Sequence, residues 1–303
     1  MNQQTLGSIC AFEGKGLHTG LYARMSIGPA PADTGIRFVR TDIGPDASVD
    51  ALAENVSDTV RSTSLTSGKV TVVTVEHVLS ALTGLGIDNA EIRLDNVEVP
   101  ILDGSALPYA EAFAKAGIEQ QDAPRRMLEL SREVEVRDGK SGAWVRAVPS
   151  CTPSIEITVD FNSEVLDVQS ARWTPDTDFA SEIAPCRTFV FFHEIEALAA
   201  RGLIKGGAID NAIVVFERPV PQERIDSLCS KLGLPSMKVD GKGFLSNTGL
   251  HFPNECCRHK LLDLIGDLRL AGGWLNARVS AFKPGHAINT MAAAKIREAL
   301  ILK

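Results

Sequence analysis

Apolar and polar residues alternate along the first part of the chain. Residues 23–27 (ARMSI) and 36–39 (IRFV) carry the two-residue period of strands, with the turn-rich GPAPADTG between them. Residues 70–73 (VTVV) are a short apolar run expected as a buried strand, and a helix is expected directly after it. Thr74 is placed to cap that helix, Glu76 to meet the positive end of its dipole, and Gly84 and Gly86 to stop it. Residues 90–94 (AEIRL) alternate again, and residues 109–116 (YAEAFAKA) form a short amphipathic helix closed by Gly117.

The polar stretch 120–126 (QQDAPRR) reads as a linker between two domains, residues 1–124 and 125–303. Beyond it the order of strands followed by helices starts afresh. Strands are expected at 133–136, 144–148, 155–161 and 213–216, and helices at 194–201 and 257–270. That order in both parts predicts an α+β protein with sheets and helices in separate layers, not a doubly wound parallel sheet. No internal repeat of short period is visible. Residues 219–252, with three prolines and a glycine-rich end, are expected as a surface excursion.

Composition narrows the functional classes. The chain has 303 residues, 44% hydrophobic and 23% charged, so it can bury a full core. Its 31 Lys and Arg against 38 Asp and Glu, net −7, exclude nucleic-acid binding through bulk charge. No run of apolar residues is long enough for a transmembrane helix, and residues 1–10 lack the regions of a signal peptide. The six cysteines form no CxxC, which speaks for reduced thiols in a cytoplasmic protein; a monomer is expected. Neither a GxGxxG after a strand nor a Walker A loop is present.

Candidate chemistry lies on the expected helix RHKLLDLIGDLRL at 258–270. His259, Asp263 and Asp267 follow one another at every fourth position and share a stripe with Lys260 at its edge, opposite Leu261, Leu264, Ile265 and Leu268. On a surface helix such a stripe is simply the wet face. A His and an Asp one turn apart can also grip one metal ion, which then needs a third ligand. His77 is the natural third, beside Glu76 as a base toward water. His286, on a tight turn after a strand, could pair with Asp267 and act as an acid.

Taken together, these residues make the chain resemble the UDP-3-O-acyl-N-acetylglucosamine deacetylase family. The resemblance rests on GLHTG (16–20), TVEH with LTGLGIDN (74–89), PILDGSA (100–106), DFN (160–162), RTF (187–189), RGLIKGG (201–207), RHKLLDLIGDL (258–268) and GHAIN (285–289). It implies two α+β domains, each a sheet with helices on one face, packed helix to helix as a β-α-α-β sandwich. It further implies a zinc-dependent amide hydrolase of lipid A biosynthesis, with Fe2+ as the alternative metal. By that resemblance His77, His259 and Asp263 are the metal ligands and Glu76 the general base. His286 is the acid, oriented by Asp267, and Thr188 and Lys260 stabilise the oxyanion. Residues 194–215 correspond to a passage for the 3-O-acyl chain, walled by Phe189, Ile195, Ile204, Ala208, Ala212 and Val214; His18 and Phe161 meet the nucleotide and sugar. The expected partner is an acylated UDP-sugar. Two other readings share parts of this pattern: a metal-free binding module for such a ligand, and the same metal site acting on another N-acetyl sugar.

Overall fold

The computed structural model describes residues 1–200, 205–206, 211–232, 236–238, 243–244 and 249–301. Its first sheet runs in spatial order Cys10–Lys15, Tyr22–Pro29, Ala90–Leu94, Ile36–Arg40 and Ser48–Asp50. The central strand Ala90–Leu94 is antiparallel to Tyr22–Pro29 and parallel to Ile36–Arg40. Its alternation sends Ala90, Ile92 and Leu94 into the core. Two helices belong to this sheet, α1 (Glu76–Gly84) and α2 (Leu107–Ala116).

The second sheet repeats the plan. Its order is Val134–Arg137, Trp144–Pro149, Trp274–Phe282, Ser154–Val159 and Gln169–Trp173, with Met127–Glu129 joined in parallel to Trp274–Phe282. Here too the central strand is antiparallel to one neighbour and parallel to the other. Its helices are α3 (Phe179–Glu182), α4 (Phe192–Ala200), α5 (Gln222–Leu232), α6 (Glu255–Arg269) and α7 (His286–Glu298). The run α6, central strand, α7 thus mirrors α1, central strand, α2. Each half also carries a small three-stranded sheet placed before its α1 or α6: Val56–Asp58 with Ser64–Ser67 and Val70–Val73, and Phe189–Phe191 with Ile213–Phe216 and Gly243–Phe244.

The helices of both halves meet in the middle, giving layers of sheet, helix, helix and sheet. Val78, Leu79 and Leu82 of α1 share one core with Leu261, Leu264, Ile265 and Leu268 of α6. Gly266 makes this approach possible. A Cβ there would overlap the carbonyl of Glu76 and sit 3.1 Å from the amide nitrogen of Ser80. No helix among the described residues is long and apolar enough to cross a membrane.

The segment expected as a linker is built into the structure. Ile118–Pro124 is a strand antiparallel to Asn2–Leu6, with Glu119, Gln120 and Asp122 exposed and Gln121 half-buried. Gln121 Nε2 donates to the Ala30 carbonyl at 2.8 Å, and Arg125 forks onto Asp88, with Nη2 2.6 Å from Oδ2. Asp88 also accepts from Trp274 Nε1 at 2.7 Å, so a buried ion pair ties the two halves together. Thr74 does not cap α1: its φ is 63°, and its hydroxyl donates to Glu98 Oε1 at 3.0 Å. The excursion at 219–252 is likewise only partly a surface feature. It contributes α5, whose Ile225 and Cys229 are buried against Phe192, Ile195 and Phe216, and the strand Gly243–Phe244.

Gly266→Ala is expected to lose ~2 kcal/mol or more of stability, because backbone rather than a flexible side chain must yield. Gly139→Ala, where a Cβ meets nothing within 4 Å, is expected to stay within ~0.5 kcal/mol of the parent in the same urea titration.

Candidate metal centre and its surroundings

Helix α6 is buried on nearly every side, so its polar stripe is not a wet face. His259, Asp263 and Asp267 point into the seam with α1, which brings Glu76 and His77 to the same place. The strand Val70–Val73 and the left-handed Thr74 deliver Glu76 and His77 as the first residues of α1. The ligand atoms of His77, His259 and Asp263 lie within 4.8 Å of one another.

The donor set fits a divalent cation. His259 Nδ1 is 3.0 Å from the carbonyl of Cys186. A carbonyl only accepts, so Nδ1 carries the proton and the lone pair is left on Nε2. That Nε2 is 3.4 Å from Asp263 Oδ1, and His77 Nε2 is 3.7 Å from the same oxygen. Oδ1 is buried and has no hydrogen-bond partner among the described residues. An orphaned carboxylate oxygen facing two ring nitrogens is costly unless a cation joins them. Burial, then repulsion from His259, pushes His77 down to about 3 and keeps it neutral; burial also lowers His259. Burial alone would raise Asp263, but the Lys260 ammonium and the neighbouring imidazoles hold it well below the usual carboxylate range. Two neutral nitrogens and one anionic oxygen suit Zn2+ or Fe2+.

Around this triangle two groups are set for proton transfer. Burial raises Glu76 to about 7, with Asp267 and Asp263 adding to the shift and His286 opposing it. Burial would lower His286, but Asp267 and then Glu76 raise it to about 9. A carboxylate and an imidazole shifted in this way can serve as base and acid near neutrality. His286 Nε2 is 4.0 Å from Glu76 Oε1 and 3.9 Å from Asp263 Oδ2. On its other side His286 Nδ1 meets Asp267 Oδ2 at 3.1 Å, and Asn289 Nδ2 donates to that oxygen at 2.9 Å. Lys260 Nζ donates to Asp263 Oδ2 at 2.9 Å and lies 5.6 Å from the Phe189 ring centroid. Thr188 is fixed through its backbone, its N–H donating to Gly104 and its carbonyl accepting from Ile213, both at 2.8 Å; its side chain stays half-buried.

One residue of the site carries no sequence signal. Thr63, fully buried, donates its N–H to Glu76 Oε2 at 3.0 Å and its hydroxyl to Asp267 Oδ1 at 2.6 Å. The other expected contacts lie further out. The loop containing His18 hangs on the buried Glu98, which accepts from the His18 amide at 2.9 Å, the Thr19 amide at 2.8 Å and the Thr19 hydroxyl at 2.7 Å. His18 Nε2 is buried and has no hydrogen-bond partner among the described residues, and burial lowers the ring's pKa. Phe161 packs edge-on against Phe189, 5.2 Å between centroids, and Phe189 in turn faces His259 at 6.4 Å. The small sheet separates the expected apolar wall into two faces. Phe189 lies with Phe161, Ile213 and Val215, whereas Ile195 and Val214 lie with Phe192 and Phe216. Ala212 is half-buried at the entry to the strand Ile213–Phe216. Ile204 and Ala208 lie outside the described residues.

Known proteins resemble this chain along nearly its whole length. The family model described as LpxC: UDP-3-O-acyl N-acetylglycosamine deacetylase matches residues 3–225 and 236–298. A bifunctional enzyme LpxC/FabZ of Bacteroides thetaiotaomicron is 41% identical over 302 residues, 100% of this chain and 66% of that protein. Its Porphyromonas gingivalis counterpart is 40% identical over 98% of this chain and 64% of its own length. The UDP-3-O-acyl-N-acetylglucosamine deacetylase of Myxococcus xanthus is 41% identical over 95% of this chain and 84% of that protein. The chain therefore spans about two thirds of the length of the bifunctional relatives.

Asp263→Ala and His259→Ala are each expected to purify with under ~0.1 equivalent of metal against about one for the parent, since a three-ligand site does not survive loss of a ligand. Elemental analysis of the folded variants reads this out.

Proposed function

The chain belongs to the LpxC family of UDP-3-O-acyl N-acetylglycosamine deacetylases, and on that premise we propose that it removes the N-acetyl group of UDP-3-O-acyl-N-acetylglucosamine. The products are the free sugar amine and acetate, a step of lipid A biosynthesis. The observation that carries this reading is the buried His77–His259–Asp263 triangle, with Glu76 and His286 4.0 Å apart beside it. Its alternatives, a metal-free binder or a deacetylase of another sugar, are separated by the assays below.

A zinc ion, or ferrous iron, held by His77, His259 and Asp263 supplies Lewis acidity to the acetyl carbonyl and makes water a better nucleophile. The rest falls to the chain's own residues. Glu76 takes a proton from water as its oxygen adds to the carbonyl carbon, forming the tetrahedral species. The half-buried Thr188 hydroxyl and the Lys260 ammonium offer the developing oxyanion a donor and a positive charge. When the C–N bond breaks, His286 gives the proton on Nε2 to the departing sugar nitrogen, and Asp267 steadies the imidazolium through Nδ1. His18 and Phe161 are assigned to the nucleotide and sugar, and the apolar faces around Phe189, Ile195, Ile204, Ala208, Ala212 and Val214 to the 3-O-acyl chain, where each buried methylene contributes ~0.8 kcal/mol. We assign residues 1–124 to the domain supplying Glu76 and His77, and 125–303 to the domain supplying the α6 ligands. A monomeric enzyme is proposed, and its free cysteines suit the reducing cytoplasm.

The metal-loaded chain is expected to release acetate from the acylated UDP-sugar and to stop when a chelator strips the metal. No release from the loaded protein, or release indifferent to the chelator, overturns the reading. Loss of the 3-O-acyl group from the substrate should lower kcat/KM sharply; equal turnover would point to another N-acetyl sugar. Glu76→Gln should keep its metal and lose ~10³-fold in kcat. The pH profile of kcat/KM should be bell-shaped. Activity rises as Glu76 loses its proton and falls as His286 loses its own, and a bound cation moves both limbs below the metal-free values of about 7 and about 9. His286→Gln should remove the alkaline limb.

A further inference from the structure

Every polar group of Thr63 is used, although the residue has no solvent contact. Its carbonyl accepts from the Val75 amide at 3.2 Å, at the start of α1. Its amide and hydroxyl go to Glu76 Oε2 and Asp267 Oδ1. The hydroxyl oxygen also lies 3.4 Å from His286 Nδ1. One residue, just before the strand Ser64–Ser67, thus touches the base through its backbone and the partner of the acid through its side chain.

Taking Glu76 as base and His286 as acid, the reading on which this rests, we infer that Thr63 is a positioning residue for the deacetylation: it fixes the plane of each carboxylate, so that one oxygen is held toward the reaction and the other is tied to Thr63. A carboxylate's terminal torsion is broad and two-fold, so neither Glu76 nor Asp267 selects an orientation by itself. The Thr63 amide engages Oε2 and leaves Oε1 as the oxygen turned toward His286 Nε2. The Thr63 hydroxyl engages Oδ1 of Asp267 and leaves Oδ2 to His286 and Asn289. At 2.6 Å the hydroxyl bond is in the short range of an O–H group on an anion. Without it Oδ1 would be a buried anionic oxygen with no donor among the described residues, and the carboxylate would turn about its contacts with His286 and Asn289 to find one. His286 would follow, because Asp267 is its partner at Nδ1, and a shift of ~1 Å at a proton-transfer group is worth ~10²-fold in rate.

The test uses the full, metal-loaded chain and two substitutions. Thr63→Val keeps the shape and the amide but removes the hydroxyl; Thr63→Ser keeps the hydroxyl and removes the methyl. Metal content, melting temperature, kcat and KM on the acylated UDP-sugar are measured for each. Thr63→Val is expected to hold its metal and keep KM within ~2-fold while kcat falls ~30-fold or more, and Thr63→Ser to keep kcat within ~3-fold. Parental kcat in Thr63→Val overturns the inference. So does a Thr63→Ser as slow as Thr63→Val, which would assign the effect to packing, and so does loss of metal in step with activity. If Thr63→Val does not fold, Thr63→Ala against Thr63→Ser decides by the same criterion. An inactive parent chain would overturn the deacetylase reading, and this inference with it, whereas an active parent matched by Thr63→Val overturns the inference alone.

Discussion

Three carboxylates, Glu76, Asp263 and Asp267, share one dry seam between α1 and α6. Burying like charges together is the constraint around which the site is arranged. Lys260 answers Asp263, His286 answers Asp267, and Glu76 yields by holding its proton more tightly. One lone pair, on Asp263 Oδ1, is left facing two neutral imidazoles, and that residue of negative charge is what a cation neutralises. The electrostatics and the proposed chemistry are therefore one arrangement: the groups that make the seam tolerable are those assigned to bind metal and move protons.

The seam exists because two similarly wound halves turn their helices toward each other. Each half presents a helix, a central strand and a second helix, and each places a small sheet before the helix that carries ligands. Those small sheets supply the site's edges. The one at residues 56–73 brings Thr63 over the carboxylates, and the one at 189–244 brings the Phe189 and Phe161 rings alongside His259. Asp88, Arg125 and Trp274 fasten the halves from one side, and Gly266 sets how near α1 can come to α6.

Much of this was legible in the chain itself. The fourfold spacing of His259, Asp263 and Asp267, the Glu76–His77 pair and the two-part order of strands and helices all carry through to the structure. What periodicity could not tell is that the polar stripe of α6 is buried, because the groups that meet it, His77, Thr63 and His286 among them, come from other parts of the chain. Thr63 was illegible for a related reason. In sequence it is a polar residue among serines at the start of a strand, and its partner Asp267 is 204 positions away. The stretch at 120–126 shows in sequence only as polar; its pairing with the first strand and the hydrogen bonds of Gln121 and Arg125 depend on partners far along the chain. The repetition of the two halves left no mark in residue identities. It resides in strand direction and helix placement, which many sequences can satisfy.

His77 belongs to a helix of one sheet, and His259 and Asp263 to a helix of the other. An ion gripped by all three is then a removable rivet through the joint between the layers. The grip on the ion and the docking of the halves become linked quantities, with stability rising as RT ln(1 + [metal]/Kd). A cell short of the metal would hold a protein that is both idle and easier to take apart, so its lifetime as well as its turnover would follow metal supply.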